Sequence, residues 1–131
     1  NLLETCNELN LNNFEFIGKR NDIRSILNRF DIFVMTSKFE AGPMTLFEAM
    51  SMSKPIISTD VGDVKNFIKN GFNGFVFKVG DTKMLAKRIK SLIIDPKLRI
   101  KIGRNARKVI KDKIDVQICA KLHRAVYKSV F

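Results

Sequence analysis

Glu40 and Glu48 stand with seven residues between them in the stretch Ser37-Lys38-Phe39-Glu40-Ala41-Gly42-Pro43-Met44-Thr45-Leu46-Phe47-Glu48-Ala49-Met50. Ionised carboxylates accept hydrogen bonds, so such a pair suits the hydroxyls of sugars. A polar turn holding Gly42 and Pro43 joins the apolar run Asp31-Ile32-Phe33-Val34-Met35 to an apolar, helix-like segment. A strand, a turn and a helix in succession leave free backbone N–H groups at the helix start, where phosphate binds readily. The pattern fits a ligand with phosphate in its middle and hydroxylated rings at its ends. A nucleotide sugar has that layout.

The elements that would position this turn are readable on either side of it. Phe14-Glu15-Phe16-Ile17, ending at Gly18, reads as a short buried strand. Residues 21–30 read as a helix capped by Asn21 or Asp22, with Ile23, Ile26, Leu27 and Phe30 inward. Asp31 to Thr36 is apolar at consecutive positions, as in a parallel strand covered on both faces. Pro43 suits the first turn of a helix running to about Ser53. Pro55 to Ser58 is a third strand and Gly74 to Phe77 a fourth, with a helix from about Val64 to Lys69 between them. Asp81 caps a helix with Met84, Leu85, Ile89 and Leu92 inward. Asp95-Pro96 starts another, with Leu98, Ile102, Ala106 and Val109 inward, and a last helix covers about Asp115 to Ser129. Strands alternating with helices predict an α/β fold with a Rossmann-like parallel sheet flanked by helices. Its ligand belongs at the carboxyl ends of the strands. Gly18, Ser37, Ser58 and Thr59 are expected just past those ends.

The chain has 131 residues and a formal net charge of +11. It starts at Asn1, with Leu2, Leu3, Cys6 and Leu9 already at helical spacing. It therefore reads as a fragment, one partial domain over residues 1–131 with C-terminal helices from about 81 to 131. No apolar run approaches the length of a membrane span. Cys6 and Cys119 lie far apart, outside any metal-type spacing, and read as reduced thiols of a cytoplasmic protein. The positive balance admits nucleic acid, an anionic membrane surface or acidic substrates. Solvated lysine-rich helix faces account for much of it, and attraction to the inner leaflet is the next reading.

At the two glutamates the sequence resembles the C-terminal, donor-binding domain of a retaining glycosyltransferase of the two-Rossmann-domain (GT-B) architecture. The group is family four, glycosyl transferases group 1. The family's acidic pair stands here as EAGPMTLFEAMS. FEFIG, DIFVMTS, KPIISTDVGD, NGFNGFVFKVGD and IDPKLRIKIGRNARK follow the family's order across nearly the whole chain. Ala41 stands where glycine is commoner, Thr36 where proline is usual, and Asp63 replaces a second glycine.

The resemblance implies the C-terminal half of a GT-B fold, truncated at its N-terminus. By position, Glu40 would be the catalytic-side carboxylate on the donor sugar, and Glu48 would accept from the ribose hydroxyls. Gly42, Pro43, Met44, Thr45 and Leu46 would belong to the donor site, with the backbone N–H groups of this span near the sugar and diphosphate. Gly18 and Lys19 would border the base, and Ser37 would belong to the donor site. The implied reaction moves a sugar from a UDP- or GDP-type donor, with retention, to a glycan or lipid-linked acceptor in capsule, lipopolysaccharide or other surface-polysaccharide synthesis. Neither a metal nor a further cofactor is implied. Cations for the leaving diphosphate would come from an upstream arginine and lysine, and the acceptor side from an N-terminal domain.

Each feature also has a plainer reading. Acidic residues near a helix N-terminus complement its dipole, although Glu48 lies further along. Gly42-Pro43 can be a turn and a helix start only. His123, beside Lys121 and Arg124, reads as a surface histidine. Lys97, Arg99, Lys101, Arg104, Arg107 and Lys108 form a solvated face or a membrane patch. The phenylalanines read as core. The alternative for the whole chain is a non-catalytic basic module binding nucleic acid or a regulator. Aromatic-rich basic motifs are absent, so no nucleic acid partner is expected.

Overall fold

The computed structural model describes residues 2–114 and 116–130. In chain order its elements are α1 (Leu2–Glu8), α2 (Ile23–Arg29), β1 (Phe33–Met35), α3 (Met44–Ser51) and β2 (Ile56–Thr59). There follow α4 (Val64–Phe67), β3 (Phe75–Phe77), α5 (Thr82–Ile94), α6 (Pro96–Ile114) and α7 (Val116–Val130). The expected start of the last helix at Asp115 lies outside the described residues.

The three strands pair in parallel in the order β1-β2-β3. Phe33 faces Ile56 and Met35 faces Ser58 in one ladder, while Ile57 faces Phe75 and Thr59 faces Phe77 in the other. Every residue of the central strand β2 is buried. Successive strand residues point to opposite faces, and the two cores divide accordingly. Ile56 packs with Leu27, Phe33, Met35, Leu46, Ala49, Met50, Ala106 and Ile110. Ile57 packs on the other face with Phe75, Phe77, Leu92 and Ile102. Fully burying each such side chain contributes about 1.5–3 kcal/mol, so helices on both faces stabilise the sheet. Gly103 lets α6 approach the loop after α3, since a β-carbon there would lie 2.0 Å from the Ser53 carbonyl oxygen.

The capping residues of the later helices behave as expected. Asp81 accepts from the Met84 N–H at 2.9 Å, and Asp95 from the Leu98 N–H at 2.9 Å. Five expectations need correction. Phe14 to Ile17 is not a strand, and Phe14, Phe16 and Ile17 are all exposed. A strand exists only as one side of a ladder, and no described segment pairs with this one. Asp22 precedes α2 without capping it, because both its carboxylate oxygens accept from Arg20. β1 is covered on one face only. Val34 stays exposed because α5 packs over β2 and β3 rather than β1. Ser58 and Thr59 lie inside β2 rather than beyond it. Phe30 also turns outward rather than joining the inner face of α2. No helix among the described residues is long and apolar enough to cross a membrane.

Candidate functional site

The turn between β1 and α3 is tied to the neighbouring strand by a chain of hydrogen bonds. Thr59, the last residue of β2, donates its hydroxyl to the Ser37 carbonyl at 2.7 Å. Ser37 Oγ in turn donates to Glu40 Oε1 at 2.7 Å. A hydroxyl bond to an ionised carboxylate is among the stronger side-chain contacts, so Glu40 is held in a defined pose. Gly62, at φ +49, lies against the backbone of Glu40 from the β2 side. Both strands therefore present their carboxyl-end loops to the same acidic turn.

Pro43 is buried and stands at the N-cap position of α3. The Leu46 and Phe47 N–H groups bond back to the Pro43 carbonyl, and the Met44 N–H to Gly42. Thr45, in the first turn, has no such bond among the described residues. Of the amides expected to face a diphosphate, the structure thus engages Met44 and Leu46 internally. Among the described residues Gly42 and Thr45 are left as unengaged donors.

Leu46, Ala49 and Met50 form the buried side of α3. Met44, Phe47, Glu48 and Ser51 lie on its other side at helical spacing and line a groove of about 780 Å³. Arg24 and Asn28 of α2 and Arg107 and Lys111 of α6 complete its polar rim. A carboxylate that accepts from hydroxyls, in a groove rimmed by three exposed cations, suits a hydroxylated and phosphorylated ligand. Reading along the chain named Arg107 only as part of a basic helix face and did not single out Arg24, Asn28 or Lys111. Their only signal was polar and basic side chains four apart on two different helices.

Glu40 does not line that groove, and none of the described cavities is lined by both glutamates. Gly18 adopts φ +60 with open space around its α-carbon, and Lys19 is exposed. Among the described contacts none joins either residue to the turn. The neighbouring cavity, of about 410 Å³, is lined by Ile17, Arg20, Asp22 and residues of α2. His123 lies on the exposed side of α7 beside Arg124 and Tyr127.

Comparison with known proteins places this geometry. Residues 1–109 match the family described as Glycosyl transferases group 1. The chain is 32% identical over 125 residues to N,N'-diacetylbacillosaminyl-diphospho-undecaprenol alpha-1,3-N-acetylgalactosaminyltransferase of Campylobacter jejuni. That match takes in 93% of this chain and 33% of the relative. The fold superposes on HepE of Anabaena, crystallised with UDP-glucose, with a TM-score of 0.91 and 27% identity. The superposition covers 98% of this chain and 36% of HepE. The C-terminal domain of LpcC from Francisella tularensis, a glycosyl transferase group 1 family protein, gives a TM-score of 0.78 and 28% identity. There the cover is 88% of this chain and 62% of that one. Relatives named for capsular polysaccharide and lipopolysaccharide-core synthesis also match. The chain spans about a third of the length of the curated relatives it matches.

A parallel sheet with helices on both faces and an acidic turn at its carboxyl edge defines the C-terminal half of a two-Rossmann-domain glycosyltransferase. The chain belongs to the Glycosyl transferases group 1 family.

Proposed function

We propose that this chain is the donor-binding half of an enzyme that transfers a sugar, with retention, from a nucleotide sugar to a glycan or lipid-linked acceptor during surface-polysaccharide synthesis. The observation that carries the reading is the Thr59–Ser37–Glu40 chain of hydrogen bonds, which fixes one carboxylate beside the start of α3. Glu40 accepts from hydroxyls of the donor sugar. The unengaged Gly42 and Thr45 amides, at the positive end of α3, receive the diphosphate. Glu48, on the groove side of α3, accepts from the ribose hydroxyls, and Gly18 and Lys19 border the base. Relatives named for undecaprenol-linked and capsular products support the acceptor class.

As bonds break, charge develops on the leaving diphosphate and must be met by donors already in place. The amides at the start of α3 supply part of that need, and the remaining cations and the acceptor come from the rest of the enzyme. Spanning a third of its relatives, this chain alone binds donor without transferring sugar. Titration of UDP, GDP and a mixed oligonucleotide tests the reading. Saturable binding of a nucleoside diphosphate, weakened by Glu48→Ala, supports it. Salt-sensitive oligonucleotide binding with no diphosphate binding overturns it in favour of a basic binding module.

A further inference from the structure

Between Thr82 and Lys111 the chain carries eleven lysines and arginines against one acidic residue, Asp95. Asp95 is already occupied in capping α6. Two of the α6 cations turn back onto the protein. Arg99 donates to the Leu92 carbonyl, and Lys113 lies over the Phe67 ring. The others remain exposed, and Lys97, Lys101, Arg104, Lys108 and Lys111 recur at steps of four, three, four and three residues. At 3.6 residues per turn these five fall within a stripe about 80° wide and about 21 Å long. None of them has an ion-pair partner among the described residues. Like charges three and four apart disfavour a helix, so the local fold gains nothing from the row.

Apolar side chains lie exposed in the same stretch of chain, where solvent would disfavour them. Ile93 and Ile94, at the end of α5, are 59% and 68% exposed, and Ile100, in α6, is 54% exposed. Isoleucine is among the residue types most often buried. Ile100 shares a shallow hollow with Lys97, Lys101 and Arg104. The stretch from Thr82 to Ile114 contains no aromatic residue on which a base could stack.

The geometry points to a docking surface for an anionic lipid bilayer, in which the α6 cation row lies on the headgroups and Ile93, Ile94 and Ile100 enter the acyl boundary. Cations near an anionic leaflet and apolar side chains at the interface act together, and neither alone holds a protein firmly. A nucleic acid would engage the cations but find no use for the isoleucines. The surface is separate from the Glu48 groove, apart from Arg107 and Lys111, which border it.

The test is co-sedimentation of the intact protein with vesicles of phosphatidylcholine alone or with a third phosphatidylglycerol. Binding is expected only to the anionic vesicles, and it weakens as salt is raised to about 0.5 M. The triple variant Lys101→Gln, Arg104→Gln, Lys108→Gln lowers partition roughly a hundredfold. Lys101→Arg with Lys108→Arg retains it. Ile93→Ser with Ile94→Ser lowers partition while leaving its salt dependence in place. Nucleoside diphosphate affinity equal to that of the parent shows that the variants are folded. Equal binding to neutral vesicles, an unaffected triple variant, or tighter binding of an oligonucleotide than of anionic vesicles each overturns the assignment.

Discussion

Gly62 lies so close to Glu40 that a β-carbon at residue 62 would stand 2.1 Å from the Glu40 carbonyl oxygen. The loop after β2 therefore acts as a wall for the acidic turn after β1. Its φ of +49 also suits glycine rather than an L-residue. Gly62→Ala must push the Glu40 backbone away or distort its own loop. Such overpacking costs about 1–3 kcal/mol. The expected outcome is a lower melting temperature together with weaker nucleotide-sugar binding. A variant that melts and binds like the parent would mean that the turn yields freely.

Ser37 joins that wall to the carboxylate. Its hydroxyl reaches Glu40 at 2.7 Å while its carbonyl is held by Thr59. Hydrogen bonds to charged groups contribute about 1.5–3 kcal/mol. Ser37→Ala frees the Glu40 side chain without opening a core cavity. In the intact enzyme, turnover should fall by about one order of magnitude or more, with little change in melting temperature. Thr59→Val leaves the Ser37 carbonyl unpaired and should lower both. Kinetics and thermal melts on the two variants separate positioning from folding.

Arg20 and Asp22 give a local pH signature. The hydrogen bond from Arg20 holds the Asp22 carboxyl below the ordinary aspartate value, and the same bond raises Arg20. A carboxylate with a lowered folded-state pKa contributes stability above its unfolded value. That contribution is lost as pH falls through the lowered value. Both groups are exposed, so the effect on global stability is small. An NMR titration should find Asp22 protonating at lower pH than a free aspartate. Arg20→Gln should return it to the ordinary range, and an Asp22 that does not move would refute the pairing.

These residues also show which features a sequence can express. The caps Asp81 and Asp95 were legible because cap and helix lie within three residues. Ile56 and Ile57 of the central strand were legible because burial on both faces selects consecutive apolar residues, while the buried but polar Ser58 and Thr59 read as its end. Phe14 to Ile17 misled because an apolar run records a tendency to be covered, while strand formation depends on a partner elsewhere in the chain. Asp22 misled because a neighbouring arginine competed for its carboxylate. Of the site, Glu40, Pro43 and Glu48 stand out along the chain. The Thr59–Ser37 bond spans 22 residues and the Gly62 wall a similar distance, so only the folded sheet reveals them. The rim of Arg24, Arg107 and Lys111 converges from two helices far apart in sequence.

Glu48 separates the ribose reading from a merely electrostatic one. It lies midway along α3, facing a groove whose rim carries Arg24, Arg107 and Lys111. If its carboxylate accepts from ribose hydroxyls, Glu48→Ala removes hydrogen bonds to a charged acceptor. That loss amounts to about 1.5–3 kcal/mol, or roughly ten- to a hundredfold in UDP affinity. Inorganic pyrophosphate has no ribose, so its affinity should not weaken and should even rise when a nearby negative charge is removed. Isothermal titration of both ligands against parent and variant reads the difference directly. Equal losses for UDP and pyrophosphate would show instead that Glu48 acts through the shape of the groove.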